Sequence, residues 1–375
     1  MADEIKLERF KRALSESDFD VVVAVTPENS WYLSEAVIDT QRSLLERLAL
    51  VVWAKGAEEP LYIVCTNEQV QARHDSWIKD IRGYVEYAQS PMQFLADALA
   101  ELGATTARVG IEKHFLQTHY YEELKALVPK TRLDEVGEFF DRVRAIKTPD
   151  EVRRMEEAGV ATDRAIRKAF EAARPGMTER QVGVMLTSEL ILNGAESQGF
   201  QVLAAGANTM MTHHRAGDYV LQSGDFMRTD FGGVFPGGYQ SDLGRAVVIG
   251  KPSQRQLDTY SFIYGELEQM ISELRPGVTP RELFLAHKSR WEAHGWPMPR
   301  PHIGHSIGIG IHEHPLIRPG DDSPLQPGMI ICVEPAHTIP GIERYHMEDT
   351  VLVTEGEPRI LSRFHNWSEL LTPGA

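Results

Sequence analysis

The chain has 375 residues, 42% of them hydrophobic and 25% charged, the balance of a globular protein with room for two domains or one large one. Its 39 lysines and arginines against 54 aspartates and glutamates leave a formal charge of −15, which argues against nucleic acid and anionic membrane as partners, since both require a basic face. The two cysteines, Cys65 and Cys332, match no metal or redox spacing and read as buried thiols in a reducing compartment, and no apolar run reaches the roughly 18 residues of a membrane helix.

The amino-terminal stretch MADEIKLERFKRAL is a charged amphipathic helix pattern without the apolar core of a signal peptide, so a cytoplasmic protein is expected. After the helix IKLERFKRALSE come buried strands at Asp20–Val25, Leu48–Ala54 and Pro60–Cys65. A helix, MQFLADALAELG, is closed by Gly103, and a strand follows at Ala107–Glu112. Such alternation predicts a layered α/β domain. HYYEEL reads as a helix face, and nothing in this part assembles into a chemical site. From Val143 the texture changes: Thr148-Pro149 opens a long amphipathic helix that stops at Pro175-Gly176. The domain boundary is placed here, giving domains 1–147 and 148–375.

The second domain contains a duplication. RPGMTERQV (Arg174–Val182) recurs as RPGVTPREL (Arg275–Leu283), each with a glycine closing one helix and a threonine opening the next. Gln181 and Glu282 fall three residues after their threonines, as a capping box requires. LQSGDFMRTDFGG (Leu221–Gly233) then matches LQPGMIICVEPA (Leu325–Ala336), aligning Asp230 with Glu334. YQSDLGRAVV matches YHMEDTVLV, aligning Tyr239 with Tyr345 and Asp242 with Glu348. Three matches in one order predict two copies of a helix-helix-strand-strand unit, related by a pseudo-twofold axis and forming one curved antiparallel sheet covered by helices. Asp230 is expected at the end of its strand, with the two following glycines turning the backbone.

Matched positions meet near such an axis, so Asp230 would face Glu334 and Asp242 would face Glu348. Four converging carboxylates raise one another's pKa and resist burial, whereas two divalent cations would neutralise them. The imidazole that such a centre usually recruits has two sources. One is RPHIGHSIGIGIHEHP, where His305 and His312, seven residues apart, lie on opposite faces unless the strand bends. The other is MMTHHRAGD, with His213 and His214. A lone Asp230 would read as a turn residue, and His302 and His314 as surface histidines. Asp349 reads as a partner beside Glu348 rather than a ligand. The set Asp230, Asp242, His305, Glu334 and Glu348 is different, because acidic residues recur at matched points of apolar strands.

These residues resemble the creatinase/aminopeptidase P family of pita-bread metallohydrolases, which includes prolidase and methionine aminopeptidase. The likeness runs the length of the chain: residues 1–147 resemble the creatinase-type amino-terminal domain, and 148–375 the α+β pita-bread catalytic domain. The resemblance implies five ligands to two divalent ions (Mn, Co, Zn or Fe): Asp230 in TDFGG, Asp242 in YQSDLGR, His305 in GHSIG, Glu334 in VEPA and Glu348 in MEDT. It implies that Asp242 and Glu348 bridge the ions, that His213 and His312 face the substrate, and that Glu334 shuttles a proton. The implied activity is hydrolysis of a C–N amide bond in an Xaa-Pro dipeptide or other small amide, by a homodimer. A small-molecule amidase, a creatinase-like hydrolase or a lyase is the alternative, and a non-enzymatic peptide- or histone-binding relative a third. The chain departs from the family pattern near the substrate. Asp230 and Asp242 are 12 apart, with FPGG as the insertion. EPAHT stands where the peptidases have EPGxY, placing Ala336 and Thr338 there; His346 stands in place of an arginine, and Pro301 in place of a histidine. His337, His346, Arg344 and His302 are therefore expected to build a different substrate pocket.

Overall fold

The computed structural model describes residues 3–374; Met1 and Ala2, where the expected amino-terminal pattern begins, and Ala375 lie outside them. The chain divides into two compact units, Met1–Arg144 and Ala145–Ala375. Among the described residues, no helix is long and apolar enough to cross a membrane.

The first unit is built on strands β1 (Val21–Ala24), β2 (Leu50–Ala54), β3 (Leu61–Cys65), β4 (Asp80–Tyr84), β5 (Arg108–Ile111) and β6 (Arg132–Glu135). They form one mixed sheet in the order β4-β3-β2-β1-β5-β6. The four inner strands are the apolar runs visible in the sequence. The two that sequence pattern misses, DIRGY and RLDE, are the sheet's edges, where charged side chains blunt unpaired backbone groups. Asp3 caps the helix Glu4–Glu16 by accepting from Lys6 N, and Ser90 caps Pro91–Glu101 by accepting from Met92 N. Gly103, at φ +69°, closes the second of these helices.

In the second unit four helices open on capping boxes: Pro149–Ala172 on Thr148/Glu151, Glu179–Leu192 on Thr178/Gln181, Gln254–Ser272 on Ser253/Gln256, and Pro280–Ala293 on Thr279/Glu282. The strands are β7 (Ser197–Ala205), β8 (Phe226–Phe235), β9 (Tyr239–Gln240), β10 (Leu243–Val248), β11 (Gly304–Ser306), β12 (Glu313–Leu316), β13 (Ile330–Val333), β14 (Ala336–Ile339), β15 (Glu343–His346), β16 (Asp349–Leu352) and β17 (Arg359–Ile360). They pair antiparallel as β10-β8-β7 with β9 on β8, as β12-β11-β13-β16-β17, and as the hairpin β14-β15. Alternation splits β8 and β10 between two cores. Met227, Phe231, Leu243 and Val247 join the cluster containing Ala165, Phe170 and Leu186, while Phe226, Ala246 and Val248 join that of Tyr260, Leu267 and Trp291.

The duplicated strands approach each other at β10 and the β15–β16 junction, where Glu348 N donates to Gly244 O at 3.0 Å. Gly244 permits this meeting, since a Cβ there would lie 2.8 Å from His346 Nδ1 and 3.0 Å from Glu348 N. Two sequence expectations change. Asp230 stands in mid-strand, and β8 runs on through Gly232 and Gly233. The glycines permit close approach rather than a turn: a Cβ on Gly232 would fall 1.8 Å from Ser241 O. The stretch carrying His305 and His312 is a hairpin rather than one strand. β11 and β12 pair antiparallel with a register shift at His305/Ser306.

Candidate active site

Asp230 points from the centre of β8, and Asp242 and Glu348 occupy the bends just before β10 and β16. Glu334 directly follows β13, and His305 lies on β11. Folding brings all five to one cavity of about 620 Å³, which His213, His302, His312 and His346 also line. His305 Nε2 stands 3.7 Å from both Asp242 Oδ2 and Glu348 Oε1. His346 Nε2 lies 3.4 Å from Glu334 Oε2 and 3.7 Å from Glu348 Oε2, with its Nδ1 3.8 Å from Asp230 Oδ2. Because the hairpin reverses the chain, the His312 ring stacks on His305 with centroids 3.9 Å apart.

Among the described residues, three overlapping groups could hold a cation: Asp242 with His305 and His312, Asp230 with His346 and Glu348, and His305 with Cys332 and Glu348. Asp242 Oδ1 and Glu348 Oε1 are buried and meet no hydrogen-bond donor among the described residues. Buried carboxylate oxygens without donors are costly, and a divalent cation satisfies them. Burial first, then the neighbouring carboxylates, push the Asp242 and Glu348 carboxyls well above the usual range. For Glu334, burial pulls upward, but the Arg300 guanidinium and the His302 and His346 rings prevail and hold it well below. Arg300 reaches both the carboxylate and the backbone oxygen of Glu334, and His302 Nδ1 lies 3.2 Å from Glu334 Oε1. Burial, then the charge of His312, lowers His305 to about 4, so its ring is neutral as a metal ligand requires. Carboxylates and imidazole together suit Mn, Co, Fe or Zn.

Around these residues lies a second set that fixes them in place. Arg245 bonds Asp349 at 2.7 Å, lies 3.2 Å from Asp163, and donates to Glu348 O, which holds the chain at Glu348 and the residue after it. Asp349 is thus buried between Arg245 and Arg363. Beneath the His312 loop, Lys147 pairs with Glu313 at 3.0 Å and donates to Ser306 Oγ, while Glu313 accepts from Gly310 N. Arg228 donates to the carbonyls of Met211 and Thr212, directly before His213.

The expected pocket histidines part company. In the β14-β15 hairpin, Ala336 pairs with His346 and His337 with Tyr345. Alternation therefore sends His346 to the cavity and His337 to the other face. There His337 stacks on Trp296, with centroids 3.6 Å apart, and it is not among the cavity residues. His214 turns to Glu179, 2.8 Å away. His302, read both as a surface histidine and as a candidate pocket residue, lines the cavity; His314, read as a surface histidine, stands 3.5 Å from Asp321 with its side chain 37% exposed. Sequence reasoning missed Arg228, Arg300, Cys332 and the Lys147–Glu313 pair. Arg228 and Cys332 carried a signal, since each stands two residues before an expected ligand, Arg228 on the same face of β8 as Asp230. Arg300 carried none, being 34 residues from Glu334.

The model of metallopeptidase family M24 matches residues 153–355, and that of the creatinase/prolidase amino-terminal domain matches residues 6–146. An Xaa-Pro dipeptidase of Lactobacillus helveticus is 28% identical over 94% of this chain and 95% of its own length. One from Pyrococcus furiosus is 27% identical over 96% of this chain and 97% of its own. The solved prolidase of Pyrococcus horikoshii OT3 superposes with a TM-score of 0.84 at 25% identity, covering 97% of this chain and 99% of that one. The X-Pro aminopeptidase of Thermotoga maritima MSB8 shares the fold, with a TM-score of 0.85 at 22% identity over 97% of this chain and 99% of that one.

Proposed function

The chain belongs to metallopeptidase family M24, and from that premise we propose that it is a dinuclear metal-dependent hydrolase of C–N amide bonds, acting on Xaa-Pro dipeptides or related small amides. The observation that carries the reading is the convergence of Asp230, Asp242, His305, Glu334 and Glu348 on one cavity, with buried carboxylate oxygens that lack donors. In this reading Asp242 and Glu348 would serve both ions, Asp230 would complete the ligands of one, and His305 and Glu334 those of the other. When bound, the ions polarise the substrate carbonyl and lower the pKa of water.

The chain's own residues supply the remainder. Glu334, held ionised by Arg300, accepts the proton from the attacking water and returns it to the leaving nitrogen. Desolvation lowers the pKa of the exposed His312 ring and favours its neutral form, which can donate one N–H to the developing oxyanion while stacked on His305. His213 lines the same cavity on the segment anchored by Arg228, and serves as the second substrate-facing imidazole. His346 adds a third, from a position where the peptidases place an arginine. That difference, with Ala336, Thr338 and Pro301, supports a second reading in which the scissile amide is not Xaa-Pro.

The reading includes domains at 1–147 and 148–375, manganese among the candidate ions, a homodimer and a cytoplasmic setting. Elemental analysis and a substrate panel test it. About two divalent ions per chain are expected, with Xaa-Pro or small-amide turnover lost in chelator and restored by Mn, Co or Zn. Full hydrolysis by metal-free protein would overturn it.

A further inference from the structure

Strands β8 and β15 repeat one arrangement. Arg228 stands two residues before Asp230, and Arg344 two before His346. Residues so spaced share a strand face, and both arginines are among the residues lining the cavity that holds the carboxylates. Among the described residues, neither pairs with a carboxylate. Arg228 is 1% exposed and is met by carbonyl oxygens of the segment Thr209–Thr212. Arg344 donates from Nη1 to Thr338 Oγ1 at 2.9 Å, while its buried Nε meets no acceptor.

Only Arg300, of the three arginines on this cavity, is covered by a carboxylate, that of Glu334. A buried cation without a counter-ion is costly. On a cavity wall, the anion that relieves it can be the ligand's. A neutral dipeptide brings one carboxylate and cancels it with its own ammonium, leaving two guanidiniums underused. We propose that Arg344, with Arg228 beside it, receives a carboxylate of the substrate, and that the preferred substrates are acidic amides carrying two carboxylates. An Asp or Glu residue on the amine side and a dicarboxylic acyl group on the carbonyl side present the same chemistry. The specificity rests on the hydrolase reading, but occupancy of the subsite can be measured without turnover.

The test compares succinate with its monoamide, succinamate, by titration calorimetry on metal-loaded protein. A charge-assisted contact corresponds to roughly 10- to 100-fold tighter binding of succinate. That ratio should fall to about 2 in Arg344→Met and recover in part in Arg344→Lys. In parallel, kcat/KM is measured for Ala-Glu, Ala-Gln and Ala-Pro, and for succinyl-alanine against acetyl-alanine. A preference of about 10-fold for the acidic member of either series, expressed in KM, supports the proposal and tells which half meets Arg344. Equal binding of succinate and succinamate to the wild-type protein overturns it, as does a ratio unchanged in Arg344→Met. If no amide is cleaved, the hydrolase reading fails alone and calorimetry still decides the subsite.

Discussion

Gly232 and Gly233 are adjacent in β8 and differ in what a methyl group would meet. At Gly232 an added Cβ falls 1.8 Å from Ser241 O and 2.8 Å from the Phe200 ring. An unstrained carbon-oxygen approach is about 3.3 Å, so the backbone of β8 must separate from Ser241 by about 1.5 Å. Ser241 N donates to Gly233 O and Ser241 Oγ accepts from Gly233 N, both at 3.0 Å, so that shift disrupts two bonds one residue from Asp242. Overpacking against backbone at this depth costs about 3 kcal/mol or more. For a unit of this size that lowers Tm by roughly 6–12 °C. At Gly233 the nearest atom is Leu190 Cδ2 at 2.8 Å, the tip of a flexible side chain, although Ser197 O is also near at 3.2 Å. Gly233→Ala should cost about 1 kcal/mol, or roughly 2–4 °C. Scanning calorimetry of the two variants at fixed pH and metal content compares them. A Gly232→Ala protein melting within about 2 °C of wild type, or level with Gly233→Ala, would refute the close-approach account of these glycines.

Lys147→Met strands the buried Glu313 carboxylate, whose side chain is 4% exposed, and should cost about 3–5 kcal/mol in urea unfolding, with most of it regained in Lys147→Met/Glu313→Leu. No recovery in the double variant would contradict this origin. Chelator-treated protein should gain about 2.7 kcal/mol on addition of Mn at 100 times its Kd, roughly 5–11 °C in Tm. Asp242→Ala should lose that gain while its metal-free form is no less stable than metal-free wild type, because one of four crowded carboxylates is gone; a full metal response in the variant argues against Asp242 as a ligand. Burial lowers the His287 pKa despite Glu266 at 3.1 Å, with Arg290 and Arg300 adding in the same direction. The unfolded chain therefore takes up the proton first, so this contribution is complete above about pH 6.5 and is lost as pH falls, by at most about 1.4 kcal/mol per pH unit. Urea titrations from pH 7.5 to 5.5 should show a shallower acid decline for His287→Gln, and parallel curves would count against it.

Local chemistry was written in the chain. Thr148, Thr178 and Thr279 with their partners three residues on announce helix starts, since a capping box closes within one turn. The repeated RPG-Thr joints and the matched pairs Asp230/Glu334 and Asp242/Glu348 were legible for the same reason: each lies in a short apolar run whose period can be read directly. The polar edge strands β4 and β6 were not, because their pairing comes from the neighbouring strand rather than their own pattern.

Tertiary structure alone decided the surroundings of the carboxylates. The hairpin register of β14-β15 separated His337 from His346, a parity that composition does not encode. The reversal between β11 and β12 stacked His312 on His305 although they are seven residues apart. Arg300 found Glu334, and among the described residues Arg228 and Arg344 found no carboxylate, through contacts between segments distant in sequence. The chain by itself determined which acids belong together, because duplication repeats local pattern. Which cations face them, and which stay uncovered, depended on long-range packing, where charge meets charge only after the strands are in register.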